Sequence, residues 1–341
     1  MASDDPVWNM HRTDLVEAYE GTGLDSRTVL AQMPQRVKDG FLLDEVPWER
    51  FLLGHGPGEG LQVKRLLVQA CSADPGTARR ALDCLFRRLF TDYQVNASAP
   101  LLVPFLLRLG VVPATPWRAD ALGLAAAVAR HGDYGATRDH FLVTAQPGLY
   151  FSCDGYLMTW TIEASRLAIT ADTRLLLPLL DDPAPDVRTA AADALATVLD
   201  HTDLITSALR DRLAAEQVPA VRAALILACA ELTRSHPDPA VTAWIGTLWP
   251  DPDQTADVRI AAALAWLCLT DNPVPDDLRY MVGAFVTADA DKAFDEVPWF
   301  TRNYGLLSTV RQLVYGRPFA YPVPALPATP SHRPLQRAEG H

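Results

Sequence analysis

The chain has 341 residues and a formal net charge of −11, and 49% of its residues are hydrophobic but only 8% are aromatic. A composition with so few aromatic residues favours packed helices over β-sandwich strands. The negative charge argues against a protein that neutralises phosphates, so we expect no nucleic-acid partner.

The sequence lacks the patterns that direct a protein to or across a membrane. The first twenty residues have no cationic start and no apolar core of a secretory signal. The longest apolar run, Ile260–Leu269, is ten residues, which is about half the length that a membrane span needs. The five cysteines show no paired spacing of a zinc site, and free thiols are typical of a reducing cytoplasm. We therefore expect a cytoplasmic protein without membrane contact, cofactor or metal.

Residues 1–60 are predicted to form an N-terminal cap of a helical stack. The pentapeptide DEVPW occupies residues 44–48 and recurs at residues 295–299. Acidic residues ahead of a proline fit the start of a helix, and the tryptophan would then cover an end of the stack. As an alternative, the two copies frame the concave face and bind a basic ligand. The candidate contact residues of the two copies are Asp44, Glu45, Trp48, Asp295, Glu296 and Trp299.

Residues 61–130 are predicted to form N-terminal helical repeats, with a helix that starts at Asp74-Pro75. Arg80, Asp83 and Arg87 share one face of this helix and predict an exposed ion-pair ladder. The segment carries nine Lys and Arg against four Asp, whereas residues 171–300 carry nine against twenty-one Asp and Glu. This asymmetry indicates either a charged partner surface or two solvated faces of different sign.

The helical pattern fails in residues 131–165, which are predicted to form an irregular insertion rich in aromatic residues and glycine. Long insertions in a solenoid are often functional, and Tyr and Trp are favoured contact residues. The alternative is that these rings fill the junction between two repeat blocks. The candidate partner-binding residues of the insertion are Tyr134, His140, Tyr150, Phe151, Asp154, Tyr156 and Trp160.

Residues 166–310 carry the clearest internal repeat and are predicted to form C-terminal repeats and a cap. A Val-Arg pair occurs at Val187, Val221 and Val258, so the unit recurs after 34 and then 37 residues. Alanines three and seven positions after each valine lie on one helical face, where small side chains let helices pack closely. The final segment, residues 311–341, is rich in proline and is predicted to be disordered.

The Asp-Val-Arg-x-x-Ala-x-x-x-Ala units resemble HEAT repeats, and residues 41–125 resemble the opening of a group of actinobacterial HEAT-repeat proteins. This resemblance implies an all-α fold, an α-α superhelix or HEAT-like repeat solenoid with a central irregular insertion. It also implies a binding scaffold, because HEAT repeats chiefly serve as scaffolds. The motifs that carry the resemblance to the actinobacterial group are Val46-Pro47-Trp48, His55-Gly56, Asp74-Pro75 and the run from Ala99 to Leu106.

The leading hypothesis is a scaffold or adaptor, with an immunity-type role as one form of it, that binds a protein or peptide with basic features on the concave face. The alternative is an enzyme or a peptide-modifying protein with a pocket at residues 131–160, where Asp154 or His140 acts as acid or base. A nucleic-acid-binding HEAT protein is a lesser alternative. The sequence contains no His-Glu dipeptide, which HEAT-type iron hydroxylases use, and no familiar catalytic motif. The oligomeric state is left open.

Overall fold

The computed structural model describes residues 19–51, 59–91, 94–115, 117–130, 136–142 and 156–317. Within these ranges the secondary structure is helical except for one antiparallel pair of two-residue strands, β1 (Phe90–Thr91) and β2 (Gln94–Val95). The all-α prediction is confirmed. The predicted proline-rich tail lies outside the described residues, apart from its first seven, and so does much of the predicted insertion.

The N-terminal half contains six α-helices and two 3-10 turns among the described residues. The turns are Leu43–Glu45 and Trp48–Phe51, and the second begins at the tryptophan of the first DEVPW copy. The helices are α1 (Ser26–Gln32), α2 (Gln35–Asp39), α3 (Glu59–Ala70), α4 (Pro75–Leu89), α5 (Ala99–Val111) and α6 (Arg118–Val128).

The C-terminal half continues with helices that alternate between two layers. A 3-10 turn, Leu177–Asp181, contains Pro178 and separates the second and third of these helices. The helices are α7 (Met158–Ala171), α8 (Thr173–Leu176), α9 (Pro185–Leu195), α10 (Thr202–Ala215), α11 (Pro219–Ser235), α12 (Pro239–Leu248), α13 (Ala256–Leu269), α14 (Asp276–Phe285), α15 (Ala288–Ala293), α16 (Pro298–Thr301) and α17 (Leu306–Leu313).

Aspartate followed by proline starts two of these helices, as the sequence predicts. The side chain of Asp74 accepts a hydrogen bond from the backbone N–H of Thr77 at 2.8 Å, and Pro75 is the first residue of α4. Asp238 caps α12 in the same way, ahead of Pro239. Proline suits this position because its missing N–H would have no partner inside the helix.

Four helices, α6, α9, α11 and α13, pack side by side in chain order and form the inner row of the solenoid. The outer helices α10 and α12 pack on one side of this row. The repeat alanines Ala190, Ala224 and Ala261 are buried between neighbouring helices, which can therefore approach closely. The predicted repeat solenoid is confirmed by this arrangement.

The arginine of each Val-Arg pair connects its own helix to another part of the stack. Arg188 forms two hydrogen bonds, of 2.7 and 2.9 Å, with the carboxylate of Glu216. Arg222 holds Asp257 in the next repeat at 2.7 and 3.0 Å. Arg259 donates to the carbonyl of Trp249 at 3.0 Å. The repeated arginine therefore gives each unit a charged side chain that hydrogen-bonds to another element.

Helix α5 is buried on all sides. All residues from 99 to 110 are buried, and Pro104 lies inside the helix. The helix packs against α1 and α2 as well as α6 and α7, so it is a central element. Its apolar residues on every side explain this position, because a helix that is apolar all round is buried all round.

The N-terminal helices pack against elements on both sides of the predicted insertion. Helix α1 contacts α5, which precedes the insertion, and α7, which begins at Met158 within the predicted 131–165 segment and continues beyond it. None of the helices in the described ranges combines the length and the apolar character that a bilayer crossing requires.

Two glycines give a matched test of the contact between α5 and α6. A Cβ atom on Gly110 would collide with Cγ and Cδ2 of Leu122, whereas one on Gly123 would meet no heavy atom within 4 Å. We expect Gly110→Ala to lower the free energy of unfolding by about 1–3 kcal/mol, because the core must shift. Gly123→Ala should raise it by about 0.5–1 kcal/mol, because alanine favours the helix. Urea unfolding measures both, and equal effects would contradict the close approach.

Glu216 gives a test of the arginine contacts through pH. Burial opposes its ionisation, but hydrogen bonds from Arg188, the Val218 backbone and Arg212 outweigh it and lower its pKa from 4.5 to about 2. A lowered pKa in the folded state contributes stability above pH 4.5 and loses that contribution as the pH falls towards 2. The difference in unfolding free energy between wild type and Glu216→Gln should therefore shrink by roughly 3 kcal/mol across this range.

The control for this measurement is Asp211→Asn, an exposed carboxylate on α10. This variant should differ from wild type by no more than about 0.5 kcal/mol at neutral pH. A Glu216→Gln effect that does not change with pH would mean that the ion pairs do not form.

Candidate functional site

The second DEVPW copy lies against the inner row and covers part of it. Residues 294–314, named here the C-terminal segment, contact α9, α11 and α13 through α16 and α17. Because α11 has α9 and α13 beside it and α10 and α12 on its outer side, the segment covers the opposite side, named here the inner face. Trp299 and Phe300 are buried there, and the ring of Phe300 stacks on Phe141 at 6.1 Å.

A buried network of charges fixes the C-terminal segment to the inner face. Arg130 lies between Asp193 and Glu231, with a nitrogen 3.0 Å from an oxygen of each. Arg302 from the segment forms two bonds of 3.0 Å with Asp193. The indole nitrogen of Trp299 donates to Glu231 at 2.5 Å. All three central side chains are at least 95% buried, so each charge depends on its partners.

The pKa of Asp193 reflects this balance. Burial opposes its ionisation, but the positive charges of Arg130 and Arg302 hold the pKa below its ordinary value. Burial also opposes the charge on Arg130, and the carboxylates of Asp193 and Glu231 overcome this and raise its pKa. Two arginines, Arg130 and Arg302, thus face two carboxylates, those of Asp193 and Glu231, inside the protein.

The first DEVPW copy has the same pattern of burial but a different pattern of pairing. In both copies the valine and the tryptophan are buried and the two acidic residues are exposed. Trp48 donates to the carbonyl of Leu43 at 2.8 Å and lies beside Phe105 of α5. Glu45 pairs with Arg36 through two bonds of 2.7 Å, and Asp44 pairs with Lys64.

In the second copy Asp295 and Glu296 form no ion pair with any residue that the structure describes. Trp299 lies on the inner face and not at an end of the stack, because its indole nitrogen needs the acceptor that Glu231 supplies. Both tryptophans are thus packing residues, whereas the acidic pair of the second copy stays exposed and unpaired within the described ranges.

Of the residues predicted in the insertion, Tyr156 and Trp160 lie in the core, where they are 1% and 3% exposed. Tyr156 donates to the carbonyl of Leu24 at 2.8 Å, and Arg27 lies 4.4 Å from the centre of the Trp160 ring. Both rings therefore hold α1 against α7 and offer no surface to a partner. This corrects their assignment to a binding surface, and the reason is that the N-terminal helices cover them.

Of the five other residues predicted in the insertion, the structure describes only His140. His140 is half-buried, and its Nδ1 atom lies 3.0 Å from the hydroxyl of Thr137. No group of three or more metal-binding side chains comes together in the described ranges. Four predicted residues lie outside the described residues, and their roles stay predictions: Tyr134, Tyr150, Phe151 and Asp154.

A groove of about 500 Å³ remains open on the inner face beside the C-terminal segment. It is named here the inner groove, and its sides are formed by α4, α6, the first half of α9, and α16. Its floor is mainly apolar, and Phe86 stands at its side with 52% of its surface exposed. The lining residues used below are Leu82, Asp83, Phe86, Asp120, Gly123, Leu124, Asp186, Ala190 and Glu296.

The inner groove is negatively charged. Four carboxylates line it, from Asp83, Asp120, Asp186 and Glu296. Desolvation by the surrounding protein raises the pKa of Asp120. The positive charge of Arg79 opposes this rise, and the negative charges of Asp83 and Asp186 add to it. Asp120 and Asp186 both lie in the first turn of an inner helix, which suits a carboxylate because the helix dipole is positive there.

The sequence did not indicate this groove, although it contained part of the signal. Asp83 was predicted to form a ladder with Arg80 and Arg87, but it lies 4.0 Å from Arg79 instead, and Arg80 contacts Thr77. The recurring aspartate in the first turn of the inner helices was visible in the sequence. These aspartates line the same groove as Glu296 because of the path of the C-terminal segment, which the sequence does not reveal.

A larger cleft, of about 860 Å³, lies between the outer helices α10 and α12. Several of its charged side chains already have partners within the chain. Glu216 is held by Arg188 and Arg212, and Arg222 by Asp257. Arg210 lies 4.5 Å from the centre of the Trp244 ring.

Comparison with known families identifies one repeat of the solenoid. Residues 174–202 match the family model of the HEAT repeat. The match spans α8, α9 and the turns around them, including the first Val-Arg pair. No curated protein and no solved structure matches the chain. A HEAT repeat at this position supports the predicted HEAT resemblance, and the resemblance to the actinobacterial group stays a prediction.

The charge network predicts a large effect for a small change at Glu231. Glu231→Gln removes one of two buried anions beside Arg130, and we expect it to lower the free energy of unfolding by about 3–5 kcal/mol. Glu296→Gln, which removes an exposed carboxylate of the same type, should change it by no more than about 0.5 kcal/mol. Urea unfolding compares the two, and similar values would show that Glu231 does not hold a buried charge.

Proposed function

We propose that the protein is an interaction scaffold that binds another protein in the inner groove. Helical repeats of the HEAT type support this proposal, because stacked helix pairs create extended binding surfaces. The observation that carries it is that the chain covers the inner face over α11 and the second half of α9 but leaves an apolar groove, lined by four carboxylates, beside that cover. A partner would therefore bind next to the C-terminal segment.

The exposed ring of Phe86 favours this surface as a contact. Aromatic side chains bury a large area with few rotatable bonds, and they are enriched at the centres of protein interfaces. The floor around Gly123 has free space, because a Cβ atom there would meet no neighbour within 4 Å. A partner side chain could enter at this point without moving the helix.

The cytoplasm is the compartment that we propose for this function. Cys229 and Cys268 are free and buried, and burial raises the pKa of each thiol to about 12. Free thiols are usual in a reducing compartment. An adaptor role, including an immunity-type role, is the form of scaffold function that the resemblance to actinobacterial HEAT-repeat proteins favours.

Site-specific photo-crosslinking tests the proposed surface. A photoreactive phenylalanine analogue replaces Phe86 in the inner groove or Leu204, which is 58% exposed on the outer helix α10. In the native cytoplasm we expect a discrete protein adduct from position 86 and none from position 204. The adduct should disappear when Gly123→Trp is added, because the indole fills the floor of the groove.

Two results would contradict the proposal. One is the same set of adducts from both positions, which would indicate random collision. The other is an adduct at position 86 that Gly123→Trp does not change, since the partner would then touch the rim without entering the groove. Urea unfolding of Gly123→Trp confirms that the variant stays folded.

A further inference from the structure

We propose that the inner groove recognises a basic amphipathic segment of a partner protein, with an apolar side chain on the floor and Lys or Arg side chains at the rim. This inference rests on the proposed function, and it specifies the chemistry of the partner. It depends on three features of the groove: the apolar floor, the carboxylates around it, and the contrast between the two DEVPW copies.

The floor of the inner groove fits an apolar side chain. Leu82, Leu124 and Ala190 line it, and Phe86 extends it towards the solvent. A volume of about 500 Å³ lies within the range of about 300–1,000 Å³ that is usual for ligand pockets. The groove therefore suits a few side chains of a bound segment, while the rest of the partner lies outside.

A segment that binds at the rim of the groove needs positive charge, because carboxylates line this rim. Asp83 and Asp120 come from α4 and α6, and Asp186 and Glu296 come from α9 and the C-terminal segment. Arg79 is near Asp83, but its guanidinium also lies over the ring of Trp117 at 4.4 Å. Carboxylates along a cleft with apolar walls concentrate the negative potential there, which attracts a cationic segment and disfavours an acidic one.

The two DEVPW copies differ in whether cations of the chain pair with their acidic residues. In the first copy Arg36 and Lys64 pair with the acidic residues, so the chain supplies its own cations. In the second copy no cation from the described residues pairs with Asp295 or Glu296. Glu296 lines the inner groove, so a partner that brings Lys or Arg there would complete the arrangement that the first copy already has.

The environment of Asp120 is consistent with the same conclusion. Desolvation by the surrounding protein raises the pKa of Asp120, Arg79 opposes this rise, and the charges of Asp83 and Asp186 add smaller contributions to it. A cation bound in the groove would favour the ionised form of this carboxyl and would lower the pKa again. Binding of a basic segment should therefore be stronger at neutral pH than in mild acid.

Fluorescence anisotropy with the full chain tests the proposal. The probe is a labelled peptide in which leucines at helical spacing are flanked by arginines, and the comparison peptide has glutamate at every arginine position. We expect the arginine peptide to bind, the glutamate peptide not to bind, and added salt to weaken the binding. Gly123→Trp should abolish binding, because it removes the space for the apolar side chain.

Two charge variants make the test specific for the groove. Asp83→Asn with Glu296→Gln should weaken binding about tenfold, as expected for two partly exposed ion pairs. Asp203→Asn with Asp211→Asn removes the same charge from the outer cleft and should leave the affinity unchanged. Equal weakening by both pairs would overturn the proposal, because the peptide would then respond only to the net charge.

The experiment separates this inference from the proposed function. If the arginine peptide does not bind but the crosslink from position 86 persists and depends on Gly123, the scaffold function stands and the basic chemistry of the partner is wrong. If neither the peptide nor a crosslinked protein is found at the groove, both proposals fail.

Discussion

The pairing of Arg130 with Asp193 and Glu231 holds the closed inner face of the stack together. An ordinary solenoid exposes one face of its inner helices, but here α11 and the second half of α9 are covered on both faces. Covering the second face places polar groups in a medium with little water, where an unpaired charge is very costly. Arg302 and Trp299 complete the pairing, so the apolar contacts of the C-terminal segment and the charge network require each other.

Much of the fold could be predicted from the sequence, because the repeat is local. The Val-Arg pairs, the alanines after them and the Asp-Pro helix starts lie within single units, and each unit forms the structure that its own residues favour. The residues from Ala223 to Ala230 also contain a signal that the interpretation missed. This part of α11 has no polar side, and such a helix must be covered on every side.

The site could be predicted only in part, because it joins residues that are far apart in the chain. The repeated DEVPW motif singles out Trp299, but the position of this residue depends on Glu231, 68 residues earlier. The rings of Tyr156 and Trp160 were expected on a surface, and the N-terminal helices bury them. Periodicity describes how a helix packs on its neighbours in sequence, and it does not reveal which distant segment returns to cover it.

The closure of the inner face also limits how this protein can evolve. Open solenoids gain and lose repeats readily, because each unit touches only the units beside it. Here Arg302 binds Asp193 in one unit, and Trp299 binds Glu231 in the next. These two residues are close together in the chain, so the two units that they bind must lie side by side. An extra repeat inserted between α9 and α11 would separate these anchors beyond the reach of three residues. The distance between these two anchors therefore limits the number of units between α9 and α11.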